Sequence, residues 1–198
     1  MTETRSAYRL AVFDMDGTLV ESHFDWARIK EDLGISQKNI LREIYRDGAV
    51  DRRRLALLEA YERDHTRKTK PLPGVHGVID FLRGRGVALA LLTNNNRPNT
   101  EYLMAKFNFR FDWILTRENG LWKPDPDPFL HLMERAASPP GNTLAIGDST
   151  YDIEAAKNAE IRDIFIKTNN HVENDPVDGV RFFEDYAQLR AILEHRGL

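Results

Sequence analysis

From Gly74 onward the sequence alternates between helix-spaced apolar residues and continuous apolar runs four times, and this alternation restricts the fold more than any other feature. Val75, Val78, Ile79 and Leu82 share a helical face and precede VALALLT, Val87 to Thr93. Tyr102, Leu103 and Phe107 precede FDWILT, Phe111 to Thr116; Phe129, Leu132, Met133 and Ala136 precede TLAIGD, Thr143 to Asp148; Ile153, Ala156 and Ala159 precede DIFIKT, Asp163 to Thr168. A helix that returns the chain between successive strands produces a parallel sheet covered by helices. The fold class expected is α/β, a Rossmann-like parallel sheet flanked by helices. A further strand opens the chain, because Tyr8, Leu10, Ala11, Val12 and Phe13 form a mostly apolar run that ends at FDMDGTLV.

Between that first strand and Gly74 the pattern is helical throughout. Trp26, Ile29 and Leu33, then Ile40, Leu41, Ile44 and Tyr45, then Leu55, Leu58 and Tyr61 fall at helix-compatible spacings. Pro71 and Pro73 with Gly74 close the segment, since neither proline continues a helix easily and Gly74 permits a turn. The organisation expected is a core of residues 1–20 and 73–198, with residues 21–72 inserted after the first strand as a small α-helical cap.

Composition excludes several classes. The 198 residues contain no cysteine, which removes disulfides, thiolate metal sites and cysteine nucleophiles. The start, MTETRSAYRL, lacks an apolar signal core and no apolar run approaches membrane-spanning length, so a soluble, untargeted, cytoplasmic protein without a membrane partner is expected. With 28 Lys and Arg against 31 Asp and Glu the chain has no basic excess of the kind that marks nucleic-acid binding. Glu21 to Leu72 carries 12 basic and 10 acidic residues. This mild positive balance either attracts an anionic ligand or is an ordinary solvated surface.

The chemistry is concentrated where strands should end. Asp14 and Asp16 sit at the carboxyl end of the first strand, the edge at which open α/β sheets bind ligands. Two carboxylates held close together repel unless a cation or a shared proton lies between them, so the pair calls for a metal ion or a proton-transfer reaction. TNNN after Leu92, KPDPDP after Trp122 and GDSTYD after Ile146 would converge on the same edge. Asp14, Asp16 and Asp148 offer the hard oxygen ligands that Mg²⁺ prefers; Thr93 and Asn94 offer donors to an anion; Lys123 offers a compact positive charge. Together these are parts for phosphoryl transfer.

The order and strand context of these motifs resemble the haloacid dehalogenase superfamily of phosphohydrolases over essentially the whole chain. DxDGT matches Asp14 to Thr18, a Thr ending a strand matches Thr93, a Lys before proline matches Lys123, and GDxxxD matches Gly147 to Asp152. The resemblance implies that Asp14 is the nucleophile forming an aspartyl-phosphate and that Asp16 protonates the leaving oxygen and then activates water. It implies a Mg²⁺ site made by Asp14, the backbone carbonyl of Asp16 and Asp148, with Asp152 holding metal-bound water or fixing its neighbours. Thr93, helped by Asn94, would bind the phosphoryl group and Lys123 would offset its charge. Thr18 would shape the turn or orient Asp16, at the margin of the substrate site.

The insert is similar to the helical cap of the phosphoglycolate phosphatase and β-phosphoglucomutase branch. The activity implied is Mg²⁺-dependent hydrolysis of a small phosphate monoester, phosphoglycolate-like or a sugar phosphate, by a monomer or homodimer. A phosphomutase on the same machinery is the enzymatic alternative, and a non-catalytic regulatory protein on the same fold the alternative of another class. A dehalogenase fits poorly, since such members lack the aspartate that Asp16 supplies. His23, Arg28, Lys30 and Arg52 to Arg54 are the insert's candidates for the leaving group, and Arg97 is a candidate for the site mouth. Trp113 and Trp122 read as core or rim packing. His65, His76, His131, His171 and His195 lack partners at useful spacing and receive no chemistry.

Overall fold

The computed structural model describes residues 8–37, 39–168 and 178–198; His171 and residues 1–7 lie outside them. Six strands, β1 (Leu10–Phe13), β2 (Ala88–Leu92), β3 (Trp113–Leu115), β4 (Thr143–Gly147), β5 (Asp163–Lys167) and β6 (Val180–Phe183), form one sheet in the order β3-β2-β1-β4-β5-β6. Every pairing is parallel, as the helix–strand alternation requires. The chain leaves β1 toward β2 and β3 and later returns to β4 on the other side of β1, so the strand order reverses at β1 and opens a crevice beyond its carboxyl end.

The alternation of side chains along each strand divides the core into two layers. Ala11, Phe13, Leu89, Leu91, Leu144 and Ile146 pack with helices α4 (Val75–Gly84), α5 (Arg97–Lys106) and α8 (Tyr186–His195). Leu10, Val12, Ala90, Leu92, Ala145 and Ile164 pack with α6 (Asp127–Arg135) and α7 (Thr150–Asn158) on the opposite face. The sequence reading identifies the first five strands and overlooks β6 and α8. β6 is a half-buried edge strand of four residues, too short to show a clear period. β3 is shorter than the run FDWILT; just before it the Asp112 amide donates to the Leu89 carbonyl at 2.8 Å and the Asp112 carboxylate accepts from the Leu89 amide at 2.7 Å.

The helical insert contains α1 (Trp26–Leu33), α2 (Ile40–Ile44) and α3 (Arg52–Lys68). Phe24, Ile29, Leu33, Ile40, Leu41, Ile44 and Leu58 form a separate apolar cluster inside it. Its two connections run side by side: the Glu21 amide donates to the Lys70 carbonyl at 2.9 Å and the Leu72 amide to the Leu19 carbonyl at 2.9 Å.

A buried polar junction joins the insert to the core. Arg117, which is fully buried, donates to Glu62 of α3 from both terminal nitrogens, at 2.6 and 2.9 Å, and Asn96 adds a third donor at 2.9 Å. Burial pushes the Glu62 carboxyl up to about 7 against the pull of Arg117. Removing one partner from such a pair strands the other without water, whereas replacing both with apolar groups of similar volume is far milder. Arg117→Met should therefore cost about 3–5 kcal/mol of unfolding free energy in urea titrations, and Glu62→Leu combined with Arg117→Met should recover most of that loss.

Candidate active site

Asp14 follows β1 directly, and its amide donates to the Ile146 carbonyl of β4 at 2.9 Å, so the strand pairing itself fixes its place. The chain then turns tightly, with the Met15 carbonyl accepting from Leu19 at 2.8 Å and Val20 at 3.1 Å. Gly17 allows this turn for two reasons. Its φ is +84°, and a Cβ there would lie 1.9 Å from Asp148 Oδ2. The glycine of the first motif thus makes room for the aspartate of the fourth. Gly147 does the same for Asp152, whose Cγ would be 2.3 Å from an added Cβ. Thr18 is fully buried in the turn and is not part of the cavity wall; its carbonyl accepts a hydrogen bond from the Tyr186 hydroxyl of α8.

Lys123 is the charge centre of the site. Its ammonium donates to Asp14 Oδ1 at 2.5 Å and to Asp152 Oδ1 at 2.6 Å. Asn94 holds the lysine backbone in place: its amide donates to the Lys123 carbonyl at 2.9 Å and accepts from the Lys123 amide at 3.0 Å. Asp152 lies in the first turn of α7, where its Oδ2 accepts from the amides of Asp148 and Ser149 and from the Ser149 hydroxyl. A carboxylate there also complements the positive end of the helix. Burial alone would lower the lysine, but Asp14 and Asp152 hold it above its ordinary value.

The carboxylates are raised as well, which in their case favours the neutral form. Burial pushes Asp14 up to about 7, with Asp152 and Asp16 adding to the rise and Lys123 opposing it. Asp148 is raised well above the usual range by burial and then by the charges of Asp14 and Asp152. Asp14, Asp148 and Asp152 each bring one oxygen within 4.8 Å of the others. Buried hard oxygen donors in mutual repulsion fit a small dication such as Mg²⁺, which would relieve the repulsion that raises them. The Asp16 carboxylate is not a member of this cluster. Its Oδ2 accepts from the Asn95 side chain at 2.9 Å, and its Oδ1 lies 3.2 Å from His65 Nε2 of α3.

These residues floor a cavity of about 430 Å³ between the sheet edge and the insert. Asp14, Asp16, Thr93, Asn94, Lys123 and Asp148 all line it. The Thr93 hydroxyl accepts from the Asn95 amide at 3.0 Å, which keeps the loop after β2 folded toward the floor. The insert contributes Phe24, Trp26, Ile40, Leu41 and Leu58, with Lys30 and Glu62 its charged lining residues among those described. Of the basic candidates in the insert, then, only Lys30 reaches the cavity. Arg54 donates to the carbonyls of Leu33 and Gly34 at the end of α1, Arg28 faces Asp32 on an exposed surface, and His23 pairs with Glu21. Arg97 is also absent from the cavity wall and lies beside Glu101 and Asn119. Trp122 packs on Tyr45 with ring centroids 4.9 Å apart.

Sequence reasoning missed Asn95, Glu62 and His65. A signal for the last two exists: continuing the α3 stripe from Leu58 at helical spacing reaches Glu62 and His65, polar residues where apolar ones would be expected, and both are buried.

The family model for haloacid dehalogenase-like hydrolases matches residues 8–160. The chain belongs to that family. Among curated relatives of this haloacid dehalogenase-like hydrolase is the phosphoglycolate phosphatase of Pseudomonas putida, 29% identical over 216 residues, with 93% of this chain and 78% of the relative covered. Among solved structures, a predicted phosphoglycolate phosphatase from Haemophilus somnus superposes with a TM-score of 0.71 at 22% identity, covering 95% of this chain and 99% of that one. A haloacid dehalogenase family hydrolase from Deinococcus radiodurans with bound phosphate and sodium superposes with a TM-score of 0.70 at 19% identity, covering 96% and 97%. The chain is thus a haloacid dehalogenase-like hydrolase with phosphoglycolate phosphatases among its relatives. Among the described residues no helix is long and apolar enough to cross a membrane.

The Gly17 geometry can be tested against a second glycine. Gly48 also has a positive φ, +75°, but an added Cβ there meets nothing within 4 Å. Gly48→Ala should show backbone strain alone, about 1 kcal/mol, whereas Gly17→Ala should exceed it by at least about 1 kcal/mol in denaturant titrations because Asp148 must also move.

Proposed function

We propose that this enzyme hydrolyses a small phosphate monoester through a covalent aspartyl-phosphate on Asp14, with Mg²⁺ as cofactor. The observation that carries the reading is the shared floor of the cavity: a buried carboxylate, Asp14, held 2.5 Å from the ammonium of Lys123, beside a second carboxylate, Asp16, held by different partners. Two neighbouring carboxyl groups with different surroundings suit a nucleophile and an acid–base group.

In the first step an oxygen of Asp14 bonds to phosphorus as the ester oxygen leaves, and that oxygen takes a proton from Asp16. In the second step water attacks phosphorus, gives its proton to Asp16 and releases Asp14 as a carboxylate with inorganic phosphate. Thr93 binds the transferring group from the end of β2, and Lys123 offsets the negative charge gathered between that group and Asp14. Asn94 serves the reaction through the lysine backbone that it clips. Asp14, Asp148 and the backbone carbonyl of Asp16 would hold the Mg²⁺, with Asp152 fixing Lys123 and the start of α7. When bound, the ion supplies charge neutralisation and orientation for the phosphoryl oxygens.

The cavity suits a metabolite-sized ester, and the insert that covers it acts as a cap. The relatives favour a phosphoglycolate-like or sugar phosphate substrate, and Lys30 is the cap cation among the described residues that line the cavity.

Asp14→Asn should fold normally and lose at least about three orders of magnitude in kcat/KM, measured as phosphate release from p-nitrophenyl phosphate. Turnover unchanged from the parent would overturn the covalent reading. Chelation with EDTA should abolish activity and Mg²⁺ should restore it; full activity in chelator would remove the metal from the proposal. Stoichiometric release of inorganic phosphate from natural esters separates hydrolysis from a phosphomutase, which would return the phosphoryl group to a sugar.

A further inference from the structure

We infer that His65, carried by the helical insert, is the positioning residue for the acid–base carboxylate Asp16. The inference rests on the role proposed above for Asp16 and adds to it a group from outside the sheet.

The two oxygens of Asp16 are treated differently. Oδ2 receives a hydrogen bond from Asn95, which belongs to the loop after β2. Oδ1 is buried and has no hydrogen-bond partner among the described residues, yet His65 Nε2 lies 3.2 Å away. That nitrogen is itself buried and has no hydrogen-bond partner among the described residues. Two unsatisfied polar atoms at this distance, buried together and poorly aligned, are a contact that a small rotation completes. Catalytic hydrogen bonds are commonly long or misaligned before substrate binds and tighten afterwards. Leaving both atoms unpaired would carry the full cost of desolvation, so the contact is the low-energy outcome once the cavity is filled.

The imidazole is held for this purpose. The ring of Phe24 lies against it with centroids 4.1 Å apart, and the residue is 7% exposed. Three residues earlier on the same helical face, Glu62 is locked to Arg117 and Asn96, which fixes the rotation and depth of α3 against the core. An imidazole is also the side chain whose ring nitrogen can either donate to a carboxylate or accept from a carboxylic acid, according to tautomer. It can therefore stay beside Asp16 through both states that the acid–base role requires. Asn95 presents its NH2 to Asp16, its amide oxygen being taken by Asn96 and Asn99.

A group that merely supports the fold would affect all substrates alike. A group that aims Asp16 affects them according to how much protonation the leaving oxygen needs. The test is kcat/KM for p-nitrophenyl phosphate, phenyl phosphate and a simple alkyl phosphate, since kcat/KM reports the steps up to departure of the leaving group. His65→Ala should stay within about threefold of the parent on p-nitrophenyl phosphate and fall about 100-fold on the alkyl ester. His65→Gln, which keeps a donor and an acceptor, should recover a substantial part of the alkyl activity, and His65→Asn, too short to reach, should not.

An equal fall on all three esters in folded protein overturns the inference, as does no change on any of them. If His65→Ala does not fold, the Gln and Asn variants decide: an alkyl-to-nitrophenyl ratio in folded His65→Asn equal to the parent's overturns it. Asp14→Asn and Asp16→Asn are run beside them. Loss of activity in those two with a flat response at His65 ends the inference alone, whereas full activity in Asp14→Asn and Asp16→Asn ends the functional reading and this inference with it.

Discussion

One buried ammonium holds the ends of several separate elements together. Lys123 comes from the stretch after β3, Asp14 from the end of β1 and Asp152 from the start of α7, and the three meet within hydrogen-bond distance. Without the lysine, two buried carboxylates and a third close by would face one another across a crevice of low dielectric, an arrangement that favours protonation or collapse. Each of the other features of the floor serves that contact. Asn94 fixes the lysine backbone, the amides of Asp148 and Ser149 just before α7 hold the far oxygen of Asp152, and Gly17 leaves space for Asp148 beside them. The parallel sheet is what makes the convergence possible, because strands running in one direction all deliver their following loops to the same edge.

The insert attaches by different means. Its own apolar cluster is separate from the two layers of the sheet, and its grip on the core joins the packing of Tyr45 on Trp122 to buried polar contacts: Glu62 with Arg117 and Asn96, and His65 beside Asp16. Both polar contacts lie on one face of α3, so the helix meets the core as a unit. The paired connections at Glu21 with Lys70 and Leu19 with Leu72 sit at the foot of that helix and limit the directions in which it can lean.

The sequence makes the cavity floor legible because its parts are short, local and tied to strand ends. Asp14, Asp16, Thr93, Lys123 and Asp148 are each placed by a run of apolar residues followed by a polar cluster, and the parallel topology then brings them together. The helices α1 to α7 and the first five strands are legible for the same reason: their apolar periods are long enough to read. β6 is not, since four half-buried residues carry almost no pattern. The insert's contribution is hidden for another reason. A count of basic residues suggests an anion-attracting cap, yet Arg54 is used on the carbonyls at the end of α1 and Arg28 faces solvent. Glu62 and His65, which do reach the core, look in sequence like ordinary members of a charged helix. Only the direction of α3 in three dimensions separates the two groups.

The Tyr186 hydroxyl donates to the carbonyl of Thr18, and its ring sits fully buried against the layer that includes Phe13, Met15 and Leu19. The family match ends at residue 160, well before this tyrosine. The tight bend that carries Asp16 thus rests on a buttress outside the matched residues. Substitutions in α8 that disturb the Tyr186 ring would reach Asp16 through that bend while leaving each motif letter untouched.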